Sequence, residues 1–295
     1  YPLFGSLSPF RNPIQCPHRC FLYESPAMTK LPTLFISHGA PTFALDPGVL
    51  GQKLGALGRS LPKPRAVLVM SPHWMTDTLA VQTADHAPTV HDFGGFPAAL
   101  YRLDYPAPTA PDLAAEVLAR CQQHGIAAVA EANVGRDHGT WVPLLHLYPD
   151  ADVPVIQLSL PATARPAALL ALGQALSPLR EQGVLIIGSG SMTHNLYERG
   201  DGVRDGYAQT FADWVAQHAE AGEVAALLDY RHQAPFAVRA HPTDEHFLPL
   251  FFALGAAMPT ATPPTAQRIA GQMQYGVISM DSLRFDPPSP SEICV

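Results

Sequence analysis

Charged side chains are scarce in this sequence. Asp, Glu, Lys and Arg make up 15% of its 295 residues, and the formal net charge is -7. No run of basic residues occurs, although a nucleic-acid-binding protein needs a basic face. The longest apolar stretch, Leu248 to Met258, has 11 residues, well short of the roughly 18 that suggest a membrane span. We therefore predict neither a nucleic-acid nor a membrane partner.

Cysteine is also rare. The four cysteines are Cys16, Cys20, Cys121 and Cys294. The first two flank His18, but no second pair of ligands follows at zinc-finger spacing, so a structural zinc site is not predicted. Reduced thiols and a cytoplasmic location are the expectation for so few cysteines.

The first 27 residues differ from the rest of the sequence. They contain five prolines, show no helical or strand period, and lack the basic start and apolar segment of a secretory signal. A strand pattern begins soon after Met28. We expect residues 1–27 to be a disordered extension, residues 28–285 to form one catalytic domain, and residues 286–295 to be a tail.

Short apolar runs alternate with helical patterns along the chain. The runs suit strands buried on both faces: Leu34–Ile36, Ala66–Met70, Val153–Leu160 and Val184–Ile187. The helical patterns are Pro111–Gln123, Ala167–Arg180 and Asp205–His218. This alternation predicts an α/β fold, a single three-layer αβα domain with a mostly parallel or mixed central sheet.

Histidine is abundant, with 13 residues, and its imidazole is both a common metal ligand and a proton carrier near neutral pH. Three of the four apolar runs are followed by a predicted loop that bears a histidine: His38, His73 and His194. Ligands of open α/β sheets bind outside the carboxyl ends of the strands. We therefore expect these three side chains to converge in one crevice.

Five sequence blocks, taken together and in this order, resemble the LigB-type class III extradiol ring-cleavage dioxygenases. Within that family they are similar to the DOPA 4,5-dioxygenase branch. The resemblance extends from about Leu31 to about Met280. The blocks are Ile36–Pro41, Ser71–Trp74, Asp137–Trp141, Gly188–Asn195 and His241–His246.

The resemblance implies an Fe(II) site and insertion of both atoms of O2 into a catechol-type ring, DOPA or a related substituted catechol, next to the diol. His38, His73 and His246 match the metal ligands of the family. His194 matches an active-site histidine at or beside the metal, so it is either the base or a fourth ligand. His138 matches a histidine near the substrate, implying an acid or a substrate anchor.

Substrate contacts are expected from residues close to these histidines. Trp74, Phe93 and Trp141 are candidates for an apolar slot that holds a flat ring, although core packing is the expectation for Phe93. His241, in the last block, is a further candidate for contact with the substrate.

Two other functions share the predicted histidine site. Imidazole suits zinc as well as iron, so Zn(II) is a second candidate metal, although it cannot change redox state to serve an oxygenase. A zinc hydrolase would use metal-bound water with Glu245 as the base. A non-catalytic metal-binding protein on the same fold is the other alternative. The sequence leaves the oligomeric state open.

Overall fold

A computed structural model describes residues 30–200, 206–260 and 262–287. The predicted extension, residues 1–27, lies outside the described residues, as do residues 288–295 of the predicted tail. Asp286, which we assigned to the tail, instead ends the last strand.

A mixed sheet forms the centre of the molecule. The described residues give eight strands in this sheet, in the order β4-β3-β5-β2-β6-β1-β10-β7, and a separate pair, β8-β9. The strands are β1 (Thr33–Ser37), β2 (Ala66–Thr76), β3 (Leu79–Gln82), β4 (Ala128–Glu131), β5 (Val155–Pro161), β6 (Val184–Gly190), β7 (Thr265–Ile269), β8 (Met273–Gln274), β9 (Ile278–Ser279) and β10 (Ser282–Asp286).

The four middle strands, β5, β2, β6 and β1, are parallel to one another. They are buried along most of their length, which explains why they read as continuous apolar runs. Antiparallel pairs occur between β1 and β10, β10 and β7, and β3 and β5. The α/β prediction with a parallel or mixed sheet is confirmed.

Helices surround the sheet, and the predicted helix at Pro111–Gln123 has the observed bounds of α2. None of the helices in the described parts of the chain is both long enough and apolar enough to cross a membrane. The helices are α1 (Gly48–Ser60), α2 (Pro111–Gln123), α3 (His138–Leu147), α4 (Pro166–Leu176), α5 (Tyr207–Glu220), α6 (Val224–Leu228), α7 (Tyr230–Gln233), α8 (Ala237–Ala240) and α9 (Pro249–Ala257).

Two of the predicted site histidines lie on regular elements, although we assigned His73 to a loop. β2 continues past Met70 to Thr76, so His73 is on a strand, and His138 is the first residue of α3. Pro72 suggested a strand end because proline cannot donate to the ladder. The pairing of β2 with β5 is irregular between Met70 and Met75, and such an irregularity accommodates a proline within a strand.

The contact between β6 and α9 depends on Gly188. A Cβ atom at this position would collide with the carbonyl oxygen of Pro249, at the start of α9. Because both groups belong to the main chain of buried elements, neither can move aside without displacing the sheet or the helix. The absence of a side chain at Gly188 therefore sets how closely α9 approaches the sheet.

We expect Gly188→Ala to lower the free energy of unfolding by about 1–3 kcal/mol, the usual cost of overpacking a core. Thermal or urea denaturation measures this loss. Gly55→Ala is the matched control, since its added methyl would make only ordinary contacts, with Arg59 Nη1 at 3.4 Å, and would improve helix propensity in α1. Equal stability of the two variants would contradict this account of the β6-α9 contact.

Candidate active site

Three imidazole rings meet at the carboxyl end of the parallel strands. His38 follows β1, His73 lies on β2, and His246 lies shortly before α9. The Nε2 atom of His73 is 3.2 Å from that of His38 and 3.3 Å from that of His246. His38 and His246 are buried, and His73 is partly buried.

The hydroxyl of Ser189 fixes the tautomer of His38. Its Oγ donates to the carbonyl oxygen of Gly139, so it is an acceptor toward Nδ1 of His38, which lies 3.0 Å away. Nδ1 of His38 therefore carries the hydrogen, and its Nε2 presents a lone pair toward the other rings.

A carboxylate lies beside Nδ1 of each of the other two rings. Nδ1 of His246 donates to Oε1 of Glu245 at 3.0 Å, so its Nε2 remains unprotonated. Nδ1 of His73 is 3.3 Å from Oδ2 of Asp92, whose negative charge favours the tautomer with the hydrogen on that nitrogen. Such partners on the second nitrogen are the usual arrangement behind histidines that bind metals.

The electrostatics of the site keep these rings neutral. Burial and, after it, repulsion from neighbouring imidazoles hold the pKa of His38 well below its ordinary value and lower that of His73 to about 2. Burial also lowers the pKa of His246, although Glu245 opposes the shift. Neutral imidazole is the form that binds a metal ion.

The Nε2 atoms of His38 and His246 each lie at a distance from Nε2 of His73 that suits a shared metal ion. Imidazole nitrogens at the usual metal distance of about 2.0–2.2 Å stand about 3.0–3.5 Å from one another, in agreement with the separations of 3.2 and 3.3 Å. Lone pairs this close repel each other, and a shared cation would turn that repulsion into attraction.

Asp92 connects two of the histidines, although no sequence motif marks it as a site residue. Its Oδ1 accepts from the backbone N–H of His138 at 2.8 Å, and its Oδ2 lies 2.8 Å from Nδ1 of the same residue. Burial opposes ionisation of Asp92, but the hydrogen bonds from His138 outweigh it, and its pKa lies below the usual value. Asp92 therefore orients both His138 and His73.

His194 lies parallel to His246, with ring centroids 3.6 Å apart and an angle of 9° between the rings. The lone pairs of an imidazole lie in its plane, so two stacked rings direct them side by side. Ligand atoms of His194, Glu245 and His246 nevertheless lie within 4.8 Å of one another, close enough to hold a metal ion. Burial, followed by repulsion from His246, lowers the pKa of His194 to about 2. His194 is thus a neutral ring beside the other three.

A cavity of about 880 Å³ opens onto these rings, a size typical of small-molecule sites. Five histidines line it, namely His38, His73, His138, His194 and His246. Apolar and aromatic side chains complete much of the wall: Phe93, Phe96, Leu196, Tyr275 and Ile278. Phe93 is partly buried and packs against the core, as we expected, and it also lines the cavity.

The other predicted substrate contacts lie off this wall, as far as the described residues define it. Trp141 is fully buried, and its Nε1 donates to the carbonyl of Val90 at 3.0 Å. His241 is also fully buried, with Nε2 3.0 Å from the carbonyl oxygen of Met192. Trp74 follows His73 on a strand, where successive side chains point to opposite faces. Direct contact of these three with a substrate is not supported.

Comparison with known proteins agrees with the geometry of the site. Residues 53–277 match the family described as the catalytic LigB subunit of aromatic ring-opening dioxygenase. The chain belongs to the LigB family. Among curated relatives, the 4,5-DOPA dioxygenase extradiol of Beta vulgaris is 40% identical over 86% of this chain and 96% of its own length. That of Escherichia coli K12 is 36% identical over 77% of this chain and 86% of its own length.

A solved structure resembles this LigB protein as well. The crystal structure of an uncharacterized protein from Escherichia coli K12 aligns with a TM-score of 0.71 and 28% identity, covering 86% of this chain and 99% of the other. Membership of the family makes the protein a metal-dependent, extradiol ring-cleaving dioxygenase that acts on a catechol and O2. The hydrolase and the non-catalytic alternatives find no support in these comparisons.

A divalent metal ion should stabilise the metal-free LigB protein. At a concentration of 100 times Kd, a ligand of the folded state adds about 2.7 kcal/mol, which corresponds to about 5–10 °C in Tm for a domain of this size. We expect Asp92→Asn to weaken metal binding about 10–100-fold, as loss of an orienting partner usually does. The metal-dependent rise in Tm should then be about half that of wild type or less.

Differential scanning fluorimetry with and without metal measures both effects. Asp104→Asn is the matched control, because Asp104 belongs to the same connection between β3 and α2 but accepts a hydrogen bond from Thr89 at 2.6 Å and not from a histidine. If wild type and Asp92→Asn show the same metal-dependent shift, Asp92 does not orient the metal-binding rings.

Proposed function

We propose that this LigB enzyme opens the ring of DOPA, or of a related substituted catechol, next to its diol, with Fe(II) held by His38, His73 and His246. The observation that carries the proposal is the convergence of three Nε2 atoms, with Ser189, Glu245 and Asp92 beside the Nδ1 atoms of the same rings. The names of the curated relatives support DOPA as the substrate.

Iron is preferred to zinc because the reaction consumes O2. Fe(II) supplies the redox chemistry that the reaction of O2 with an aromatic ring requires, whereas Zn(II) has no second oxidation state to offer. The three neutral imidazoles suit either ion, so the reaction rather than the ligand set decides between the metals.

The shape and polarity of the cavity suit a flat aromatic diol. Phe93 and Phe96 meet edge to face, with centroids 5.5 Å apart, and both line the cavity. Aromatic rings pack favourably against one another in such offset or perpendicular arrangements. A catechol ring between this apolar wall and the histidines would be shielded from water while its two oxygens face the imidazoles.

His194 is the residue that accepts a proton from the catechol in this proposal. Its ring is neutral and lines the cavity, so its unprotonated nitrogen is available as an acceptor. A pKa of about 2 would make it a weak base in the free enzyme. An anionic substrate oxygen next to the ring stabilises the imidazolium and raises its proton affinity.

His138 is the residue that holds a proton on the other side of the site. The carboxylate of Asp92 accepts from Nδ1 of His138 at 2.8 Å, which directs Nε2 away from that carboxylate. Nε2 is thereby left to face a substrate oxygen. His138 is therefore suited to anchor a substrate oxygen and to return a proton to the reacting ring.

Oxygen uptake tests the proposed function. Protein reconstituted anaerobically with Fe(II) should consume O2 on addition of DOPA and form a yellow product, which an oxygen electrode and absorption spectroscopy detect together. The same protein loaded with Zn(II) is the control and should do neither. Consumption of DOPA without O2 uptake, or no reaction of the Fe(II) protein with any catechol, would contradict the proposal.

His194→Ala separates the role of a base from that of a ligand. Loss of the base should lower kcat about 10²–10⁴-fold while Fe(II) still binds stoichiometrically, as measured by steady-state kinetics and metal analysis. His124→Ala, which removes an exposed histidine after α2, should leave both quantities unchanged. Reduced iron content with rescue by excess Fe(II) would instead make His194 a fourth ligand, and near-normal turnover would exclude both roles.

A further inference from the structure

Arg199 is the one charged side chain among the described residues that line the cavity. The rest of that wall consists of histidines and of uncharged side chains or glycines. Arginine remains protonated at any physiological pH. The cavity of a protein with a net charge of -7 therefore carries a positive charge at its edge.

The neighbouring carboxylate does not neutralise this charge, because another arginine binds it. Nε and Nη2 of Arg239 donate to the two oxygens of Glu198 at 3.0 and 2.7 Å. In the described parts of the chain, no hydrogen bond or ion pair involves the guanidinium of Arg199, which is exposed to solvent. Its five N–H donors are thus available to a ligand.

The backbone on both sides of Arg199 is fixed. The side chain of Asn195 accepts from the backbone N–H of Tyr197 at 3.1 Å and donates to the carbonyl of Arg239 at 2.7 Å. After Arg199, the backbone N–H of Gly200 donates to the carbonyl of Tyr275 at 3.1 Å, which joins this segment to the turn between β8 and β9. The guanidinium therefore starts from an anchored position at the cavity edge.

We propose that Arg199 binds a carboxylate on the side chain of the catechol substrate and so selects anionic or zwitterionic catechols over cationic ones. The inference rests on the proposed function and deepens it. A guanidinium matches a carboxylate with two parallel hydrogen bonds. In a ring whose diol faces the histidines, a substituent opposite the diol points away from them, toward the open side of the cavity where a charged group keeps contact with water.

Equilibrium binding to the metal-loaded enzyme without O2 tests the inference independently of turnover. The probes are dihydrocaffeate, which carries a propionate, dopamine, which carries an ammonium group, and 4-methylcatechol, which carries no charge. We expect wild type to bind dihydrocaffeate more tightly than 4-methylcatechol, with a preference that weakens as salt is added. Arg199→Gln should raise the Kd of dihydrocaffeate about tenfold, as loss of a charge-assisted hydrogen bond does. The Kd of 4-methylcatechol should stay unchanged.

Two further variants complete the test. Arg199→Lys should retain part of the preference, since it keeps the charge but not the planar fork. Arg59→Gln, which removes an exposed arginine near the end of α1 that is not on the cavity wall, should bind all three probes as wild type does.

Three results would overturn the inference. The first is that wild type binds dihydrocaffeate no more tightly than 4-methylcatechol. The second is that Arg199→Gln weakens the binding of both compounds equally, and the third is that it weakens the binding of neither. Oxygen uptake distinguishes this failure from failure of the proposed function. If wild type cleaves none of the catechols but Arg199→Gln still loses the preference in binding, the proposed function is wrong and the carboxylate site stands.

Discussion

The site depends on three imidazoles whose Nε2 atoms lie within 3.3 Å of a neighbour. Nε2 of His38 and Nε2 of His246 present lone pairs toward His73, so the cluster suits a cation bound between the rings. Ser189 and Glu245 fix the tautomers of His38 and His246, and the charge of Asp92 lies beside Nδ1 of His73. The position of these acceptors is therefore as important to the site as the position of the rings.

The fold brings the rings together through two separate features. The carboxyl ends of β1, β6 and β2 lie side by side, which accounts for His38 and His73. The third ring comes from a segment that crosses β6, where the backbone N–H of Ser191 donates to the carbonyl of His246 at 2.8 Å. A Cβ at Gly190 would collide with that carbonyl. The absence of a side chain at Gly190 thus allows the segment that carries His246 to pass close to the end of β6.

The sequence predicts the part of the site that depends on the parallel strands, because a buried apolar run followed by a polar residue marks a strand end. It does not predict Asp92. This residue belongs to the long connection between β3 and α2, residues 83–110, and no periodicity in that stretch indicates how the chain folds back over the cavity. Trp74 illustrates a different difficulty. We expected a loop after Met70, but β2 continues through His73 and Trp74, and Trp74 is not among the described residues that line the cavity.

Charged side chains occupy two separate parts of the site, one behind the histidine rings and one at the edge of the cavity. The carboxylates of Asp92 and Glu245 contact the outer nitrogens of the rings, where they compensate the charge of a bound metal without lining the cavity. Among the described residues, the inner wall is histidine-rich and aromatic, so it selects a flat ring by shape and desolvation. Arg199 is the charged side chain among them, and we therefore expect discrimination among catechols by charge to come from the cavity edge.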